Sequence, residues 1–423
     1  MPSSHLLATY ESAGGYAAIK KAIGRPSAAI EEQCEISCLR GRGGAGFPTW
    51  AKCGFIPKGD TGPKYLCVNA DEGEPGTFKD RYLMELSPHL VLEGIVLASY
   101  ALDVHTAFIY VRGEFVRAAE RLRGAIKEAE AAGYLGRNIL GSQFNLDVII
   151  HMGAGAYICG EETALIESIE GKSGQPRVKP PYPATEGLFG RPTIVSNVET
   201  LASLPAIVER GGKWFASLGT LGNGGTKLYC VSGHVKKPGL FELPMGTPLK
   251  EIIFTHAGGM RSDAPLKAVI PGGISTPILL PSELNVPMDF DGLKKYGSML
   301  GSAGVIVFDE TACMVRSLAR MSRFYAHESC GQCTPCREGA DWLYKIVDRI
   351  ERGQGREGDM ELLEDVSNSV NGNTICALGD SAGMVVLGFL SKFRGEFEEH
   401  IKTGRCRFGS QPLAPVKSGR SWV

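Results

Sequence analysis

Long hydrophobic runs are missing from this sequence. Its most apolar late segment, GMVVLGFL at 383–390, falls far short of the about 18 uninterrupted apolar residues of a membrane span, so direct membrane insertion is not expected. An excess of either charge is missing as well: 45 Lys and Arg stand against 46 Asp and Glu, a formal net of −1. A general nucleic-acid binder needs a large positive surplus to neutralise phosphates, and that class is excluded. The N-terminus, MPSSHLLATYESAGGYAAIKK, has no Arg and no basic stretch leading into an apolar one, and reads as neither a signal nor a transit peptide. The expectation is a chain that starts near Met1 and works in a cytoplasm. Internal repeats and low-complexity tracts are absent too. With 43% hydrophobic and 22% charged residues, the composition is that of an ordered globular protein. The 423 residues, at about 150 per domain, predict roughly three domains.

Glycine and cysteine are plentiful instead. Glycine numbers 55, about twice its ordinary share, and clusters in short loops, as backbone does where it turns sharply or approaches a ligand. The 12 cysteines belong to a large chain expected in a reducing compartment, so metal ligation is the better reading for any close set. HESCGQCTPCREG at 327–339 supplies Cys330, Cys333 and Cys336. Two residues between successive cysteines let one short turn offer three thiolates to three corners of a cubane, as in bacterial ferredoxins, with the fourth ligand elsewhere. Cys376 in NTICALGD is the best fourth ligand, brought back by two intervening helical segments. Structural zinc competes, although zinc sites usually pair two separated two-cysteine knuckles; plain thiols or disulfides are the remaining alternative. Cys67, Cys159 and Cys230 lie in apolar runs and read as small buried hydrophobes. Cys34 and Cys38 share helical spacing without partners, and Cys53, Cys313 and Cys406 look isolated. No ligation is expected from these eight.

Texture divides the chain. KYLCVNA (64–70), TAFIYVR (106–112) and FNLDVIIHM (144–152) are short, β-branched or aromatic runs bounded by turn formers, as strands are. Between them, 88–102 and 115–132 have the apolar spacing of helices. Strand–helix alternation predicts an α/β region with a mostly parallel sheet, spanning 1–225 with an N-terminal helical arm and ending near GTLGNGGT. Residues 226–309 read as a compact mixed sheet with one helix. Residues 310–405 read as almost wholly helical, and 406–423 as a tail.

Three glycine- and acid-rich loops punctuate the first region. LRGRGGAGFPTWAK (39–52) contains Gly41, Gly43, Gly44 and Gly46, with Arg42 and Lys52 bracketing them. The segment before it reads as helix or loop rather than strand, so the dinucleotide fingerprint is formal only. The surviving argument is that such glycines let main-chain amides point at an anion; a tight interhelical turn is the plain alternative. VNADEGEPGTFKDR (68–81) places Asn69, Asp71, Glu72 and Glu74 past the carboxyl end of a predicted strand, where parallel sheets bind ligands, unless it is merely a solvated acidic turn. GAGAYICGEETALIE (153–167) opens a helix with Glu161, Glu162 and Thr163 in its first turn, which helix capping alone also favours. Taken together the three loops point to a nucleotide site.

GRGGAGFPT, NADEGEPGTFKDR, GAYICGEETAL, KPPYPA (179–184), NVETLA (197–202) and ESCGQCTPCREG, in that order, resemble the NADH-binding flavoprotein subunits of respiratory complex I. The resemblance spans about residues 15–405. It implies a Rossmann-like domain for FMN and NADH, a ubiquitin-like β-grasp domain of the soluble-ligand-binding type, and a helical bundle carrying a [4Fe–4S] cluster on Cys330, Cys333, Cys336 and Cys376. It further implies that Gly41, Arg42, Gly43, Gly44 and Lys52 hold FMN, with Asn69, Asp71, Glu72, Tyr157, Gly160, Glu161, Asn197 and Thr200 completing the flavin site. Phe47 and Phe55 would stack on the adenine of NADH with Tyr182, where many relatives have Phe. Glu74, Glu162 and Lys179 would contact other parts of the nucleotide. The implied reaction passes a hydride from NADH to FMN and single electrons onward to the cluster and towards quinone; no side chain need act as nucleophile or base.

The implied partners are a thioredoxin-like [2Fe–2S] subunit and a large multi-cluster subunit, on the cytoplasmic face of the inner membrane. The sequence departs from many relatives at Trp50 and Cys53, expected to share one face of a helix starting near Pro48, and at Gly73, expected to leave a more mobile peptide than Ser. Two rivals remain: the diaphorase subunit of a soluble NAD-reducing hydrogenase or formate dehydrogenase, and a non-enzymatic iron–sulfur adaptor with vestigial flavin loops.

Overall fold

The computed structural model describes residues 3–57 and 59–409; the expected tail lies mostly outside them. Four strands, β1 (Tyr65–Ala70), β2 (Thr106–Val111), β3 (Asp147–Met152) and β4 (Thr193–Asn197), form an all-parallel sheet in the order β3–β2–β1–β4. The alternation of side chains along a strand decides its two faces. Leu66, Val68 and Ala70 of β1, with Ala107, Ile109 and Val111 of β2, enter one core; Cys67, Phe108 and Tyr110 face the other. After β1 come α1 (Lys79–Leu86) and α2 (Pro88–Leu102), and after β2 comes α3 (Val116–Ala131). Helix α2 starts with Pro88, whose fixed φ and missing N–H suit a first turn, and is buried nearly all round. Burying each of its Val, Leu and Ile side chains stabilises the fold by about 1.5–3 kcal/mol.

The buried carboxylate of Glu93 in α2 accepts the amides of Tyr16, Ala18 and Ile19 and the Tyr10 hydroxyl. It thereby pins the N-terminal arm, three short helices at Leu7–Ser12, Ala17–Ala22 and Ala28–Ile36. The opposite face is covered by α4 (Glu162–Ile169) and by the C-terminal helices. Helix α5 (Val198–Ala202) follows β4 directly.

The second sheet, ordered β6–β5–β8–β7, is mixed: β5 (Thr226–Gly233) pairs antiparallel with β6 (Gly239–Pro244) and parallel with β8 (Gly304–Asp309). Strand β7 (Leu266–Ile270) pairs antiparallel with β8. Two helical segments pack on it, Leu249–Glu251 continuing as Ile252–His256 and Phe290–Lys294, where the sequence pattern suggests one. Val269 of β7 points into this domain's own core, whereas Ala268 and Ile270 face the core shared with the bundle.

The bundle comprises α6 (Met314–Glu328), α7 (Thr334–Glu351), α8 (Asp359–Val370) and α9 (Ala377–Thr403). Met314, Leu318, Met321 and Tyr325 of α6 recur at three-to-four spacing and are buried, as are Cys336, Ala340, Leu343, Val347 and Ile350 of α7; an apolar stripe of this kind drives such helices together. Among the described residues no helix is long and apolar enough to cross a membrane.

Candidate functional site

In the parallel sheet, connections run outward from β1 to β2 and β3 on one side and cross to β4 on the other. Open α/β sheets bind ligands at the carboxyl ends of strands where the order reverses, which here is the crevice between β1 and β4. Asn69 and Asn197 face each other across it as register partners. Asn69 donates from Nδ2 to the carbonyl of Gly160 at 2.7 Å. Asn197 caps α5 by accepting the Glu199 amide and donates to Asp80 Oδ2 at 2.7 Å. Behind it lies a buried ionic network: Lys79 Nζ is 2.8 Å from Asp80 and 3.0 Å from Glu199, and Lys227 of β5 also pairs with Glu199. Glu199 additionally accepts the Leu228 amide at 2.9 Å, so this network ties the second domain to the crevice.

The first glycine loop closes on itself through the Gly41 amide, which donates to the Phe47 carbonyl at 2.8 Å. The Arg42 amide donates to Thr200 Oγ1 at 2.8 Å, anchoring the loop to α5. A Cβ on Gly43 would sit 3.2 Å from Asn197 Cβ. Gly44, at φ +146°, would direct one into empty space, leaving a bare backbone cradle. The Arg42 side chain is fully buried and donates from Nη2 to the Gly224 carbonyl, but Nε and Nη1 have no partner. Asp71 is equally buried with neither carboxylate oxygen partnered, and burial, outweighing nearby Arg112, pushes its carboxyl up to about 7. Unpaired buried donors and acceptors cost free energy unless a ligand satisfies them. The bare glycine backbone beside the cationic Arg42, and the acidic acceptor Asp71 just past β1, supply the donors and acceptors that a phosphate and a polar ring system need, so the residues present fit FMN.

The other expected residues fall into groups. Glu161 caps α4, accepting the Thr163 and Ala164 amides at 2.8 and 3.0 Å. Lys179 Nζ bridges Glu161 and Glu162 at 3.0 and 2.8 Å, and Lys52 pairs with Glu162. Burial would raise the Glu162 carboxyl, but the two ammonium groups hold it below its ordinary range. Glu72 turns away from the crevice: with φ at 41°, its carboxylate accepts the Asp80 and Arg81 amides at 2.6 and 2.9 Å, capping α1. Glu74 accepts the Tyr157 hydroxyl at 2.6 Å and the Ser275 amide of the second domain at 2.8 Å. Tyr157 donates its own amide to Glu328 of α6 at 2.9 Å and packs edge-on against Phe324, so all three domains meet at this tyrosine. Phe47 and Phe55 are 47% and 58% exposed with ring centroids 6.1 Å apart, an open aromatic pair; Tyr182 is exposed apart from them. Gly73 is packed rather than mobile, since a Cβ there would lie 2.9 Å from Tyr157 Cδ2.

Cys330, Cys333, Cys336 and Cys376 line one recess together with Ile158, Pro176, Ser329 and Leu378. Cys333 and Cys376 are the N-cap residues of α7 and α9. Both helix N-termini therefore face the recess, and their partial positive charge favours thiolate and anionic cluster alike. Ser329 Oγ lies 3.3 Å from Cys336 Sγ, a neighbour the spacing of cysteines did not reveal. In a site without metal, burial pushes the Cys376 thiol up to about 12. Four convergent sulfurs, apolar walls and no carboxylate in the lining fit a [4Fe–4S] cluster.

Fold and site thus define a class: a nucleotide-type parallel sheet joined, through a β-grasp-like domain, to a helical iron–sulfur bundle. Family models agree segment by segment. The Nuo51 FMN-binding domain matches residues 35–206, the SLBB domain 227–307, and the NADH-ubiquinone oxidoreductase-F iron-sulfur binding region 316–400. The NADH-quinone oxidoreductase F subunit 2 of Rhizobium meliloti (strain 1021) is 56% identical over 409 residues, 96% of this chain and 97% of that one. The corresponding F subunit of Mycobacterium tuberculosis is 50% identical over 425 residues, 99% of this chain and 95% of the relative. Among solved structures, a chain of an NAD+-reducing [NiFe]-hydrogenase in the H2-reduced state is similar, with TM-score 0.82 and 38% identity over 89% of this chain. This chain spans 63% of that hydrogenase chain. The chain belongs to the family of NADH-quinone oxidoreductase F subunits.

Proposed function

We propose that this chain is the NADH-oxidising subunit of a complex I, an oxidoreductase component that takes a hydride from NADH and delivers single electrons towards quinone. The observation that carries the reading is a shared wall. The turn Tyr157–Gly160 offers the Gly160 carbonyl to Asn69 at the crevice and Ile158 to the cysteine recess. The chemistry supplied there by bound FMN is acceptance of an electron pair from NADH and its release one electron at a time to a [4Fe–4S] cluster.

The chain's own residues bind and orient. Amides of Gly43 and Gly44, with Arg42 and Lys52, hold the anionic end of the flavin; Gly41, its amide bonded to the Phe47 carbonyl, shapes that loop and Thr200 fixes it. Asn69, Asp71, Gly160 and Asn197 line its ring side; Glu72, Tyr157 and Glu161 shape the wall by capping or clasping. Phe47 and Phe55, with Tyr182 beyond them, offer faces to adenine, while Glu162 and Lys179 meet the nucleotide's polar groups and Glu74 positions Tyr157. Cys330, Cys333, Cys336 and Cys376 hold the cluster. The partners are a thioredoxin-like [2Fe–2S] subunit and a large multi-cluster subunit, on the cytoplasmic face of the inner membrane.

Anaerobic purification with flavin and iron analysis, followed by NADH-to-ferricyanide activity, tests the reading. A yellow-brown chain bleached by NADH is expected; a brown, flavin-free and inactive one overturns it and leaves the adaptor reading, and a colourless one overturns both. The hydrogenase similarity supports a second reading, a diaphorase subunit. Recovery of the native complex with hydrogen-dependent NAD+ reduction, in place of NADH–quinone activity, selects it.

A further inference from the structure

At the end of the bundle away from the cysteine recess, four side chains outside the proposed redox site converge. Cys313 precedes α6, Glu351 ends α7, His400 lies near the end of α9, and Cys406 follows it. One donor atom from each lies within 4.8 Å of every other. Helix α7 spans 18 residues, about 27 Å, so this quartet is a separate place from the recess at its N-terminus. All four side chains are buried.

We propose that this quartet is a structural metal site for a single divalent cation of the zinc type. Cys313 and Cys406, which look isolated in the sequence, become ligands once the helices pack. The three edges among Cys313, Glu351 and His400 have tetrahedral dimensions, and Cys406 lies within 4.8 Å of each. With metal–sulfur bonds of about 2.3 Å and metal–nitrogen or –oxygen bonds of about 2.0–2.2 Å, tetrahedral angles place S···N and S···O edges at about 3.5–3.6 Å and the N···O edge near 3.4 Å. In the structure Cys313 Sγ is 3.5 Å from His400 Nε2 and 3.6 Å from Glu351 Oε2, and those two atoms are 3.6 Å apart.

The surroundings are those of a supported ligand set. His400 Nδ1 lies 2.8 Å from the Glu396 carbonyl, which places the ring proton there and aims the Nε2 lone pair at the other donors. Arg316 donates from Nε to the second Glu351 oxygen at 2.6 Å, and its amide donates to Cys313 Sγ at 3.3 Å. Its Nη2 holds the Gly409 carbonyl at 2.6 Å, fastening the segment that carries Cys406. Two thiolates and one carboxylate are balanced by a divalent cation and the Arg316 guanidinium, so the buried charges sum to zero. Cation binding forms two metal–sulfur bonds and releases the two thiol protons to solvent, with no change of oxidation state. With four protein ligands the site is closed, which is structural rather than catalytic coordination. It clips α6, α7, α9 and the following segment at one end.

The inference is independent of the redox reading and is tested on the full, flavin- and cluster-loaded chain isolated from zinc-supplemented growth. Elemental analysis should find about one zinc per chain. The zinc should persist in Cys376→Ser, which damages only the recess, and be lost in His400→Ala and Cys406→Ser. Arg316→Leu should weaken zinc affinity about 10- to 100-fold. X-ray absorption at the zinc edge of the unaltered chain, which needs no variant to fold, should show mixed sulfur and nitrogen/oxygen ligation. Absence of zinc, an all-sulfur shell, zinc retained in His400→Ala but lost in Cys376→Ser, or a Cys313–Cys406 disulfide in peptide mapping would each overturn the proposal.

Discussion

Asp71→Asn separates what the Asp71 carboxyl does for the ligand from what it costs the fold. Its side chain is buried with both oxygens unpartnered, and its pKa stands at about 7 against an ordinary 3.8. Below pH 4 the group is protonated in folded and unfolded chains alike and contributes no pH dependence. Between pH 4 and 7 the unfolded chain loses the proton while the flavin-free native chain keeps it, so stability falls as pH rises, levelling off above pH 7. Three pKa units correspond to about 4 kcal/mol at most, or up to about 16 °C in melting temperature for a domain of this size. Asn keeps the shape and removes the titration. The flavin-free variant should therefore approach the native chain as pH falls towards 4 and exceed its melting temperature increasingly from pH 5 to pH 8. In the same variant FMN should bind about 10- to 100-fold more weakly, the worth of a hydrogen bond to a charged acceptor. Calorimetry across pH 5–8 and flavin titration read both. Superimposable pH profiles for the two proteins would refute the argument that Asp71 is a strained, ligand-awaiting acid.

Three further outcomes follow from the geometry. Glu199→Ala strands the buried ammonium of Lys227, while Lys79 keeps Asp80 as its partner, and should destabilise the chain by about 3–5 kcal/mol; a double substitution of Glu199→Leu with Lys227→Met should recover part of this, as thermal denaturation will show. Phe55→Ala, at an exposed position, should leave the melting temperature unchanged and raise the KM for NADH about 5- to 100-fold, the range for losing one base–aromatic stack. Cys376→Ser should lower iron content and electron delivery beyond the flavin while leaving flavin content intact, which metal analysis and NADH bleaching measure separately.

Local pattern made much of the architecture legible before any coordinates. The β-branched runs at 64–70, 106–112 and 144–152 contain β1, β2 and β3, and the apolar spacing at 88–102 and 115–132 contains α2 and α3. Strand β4 is not distinguished by such a run, because TIVSN is short and merges into the NVETLA segment. Helix α7 starts at Thr334, inside the cysteine run itself, with Cys333 at its N-cap position and Pro335 suited to its first turn, an onset that apolar spacing does not mark. At the site, residues close in sequence were easy to associate: three cysteines in one turn, Glu161 beside Glu162. What pattern does not carry is direction and distant partnership. Nothing local shows that Glu72 adopts a left-handed backbone and caps α1, or that Glu199 finds Lys227. The same holds for Ser275, whose amide reaches Glu74 across 201 positions. Gly73 illustrates the limit from the other side. Flexibility is the natural expectation, but the Tyr157 ring lies so close that a side chain here would have to displace it.

The tyrosine at that contact has a consequence for how the molecule is inherited and engineered. Its amide is claimed by the bundle and its hydroxyl by an acid that the β-grasp loop holds in turn. A piece containing the nucleotide sheet alone would present an unfinished pocket, however well it folded. Lineages that reuse this module with other partners are therefore expected to carry the three regions as one cassette, and chimaeras joined at either seam to lose flavin before they lose solubility.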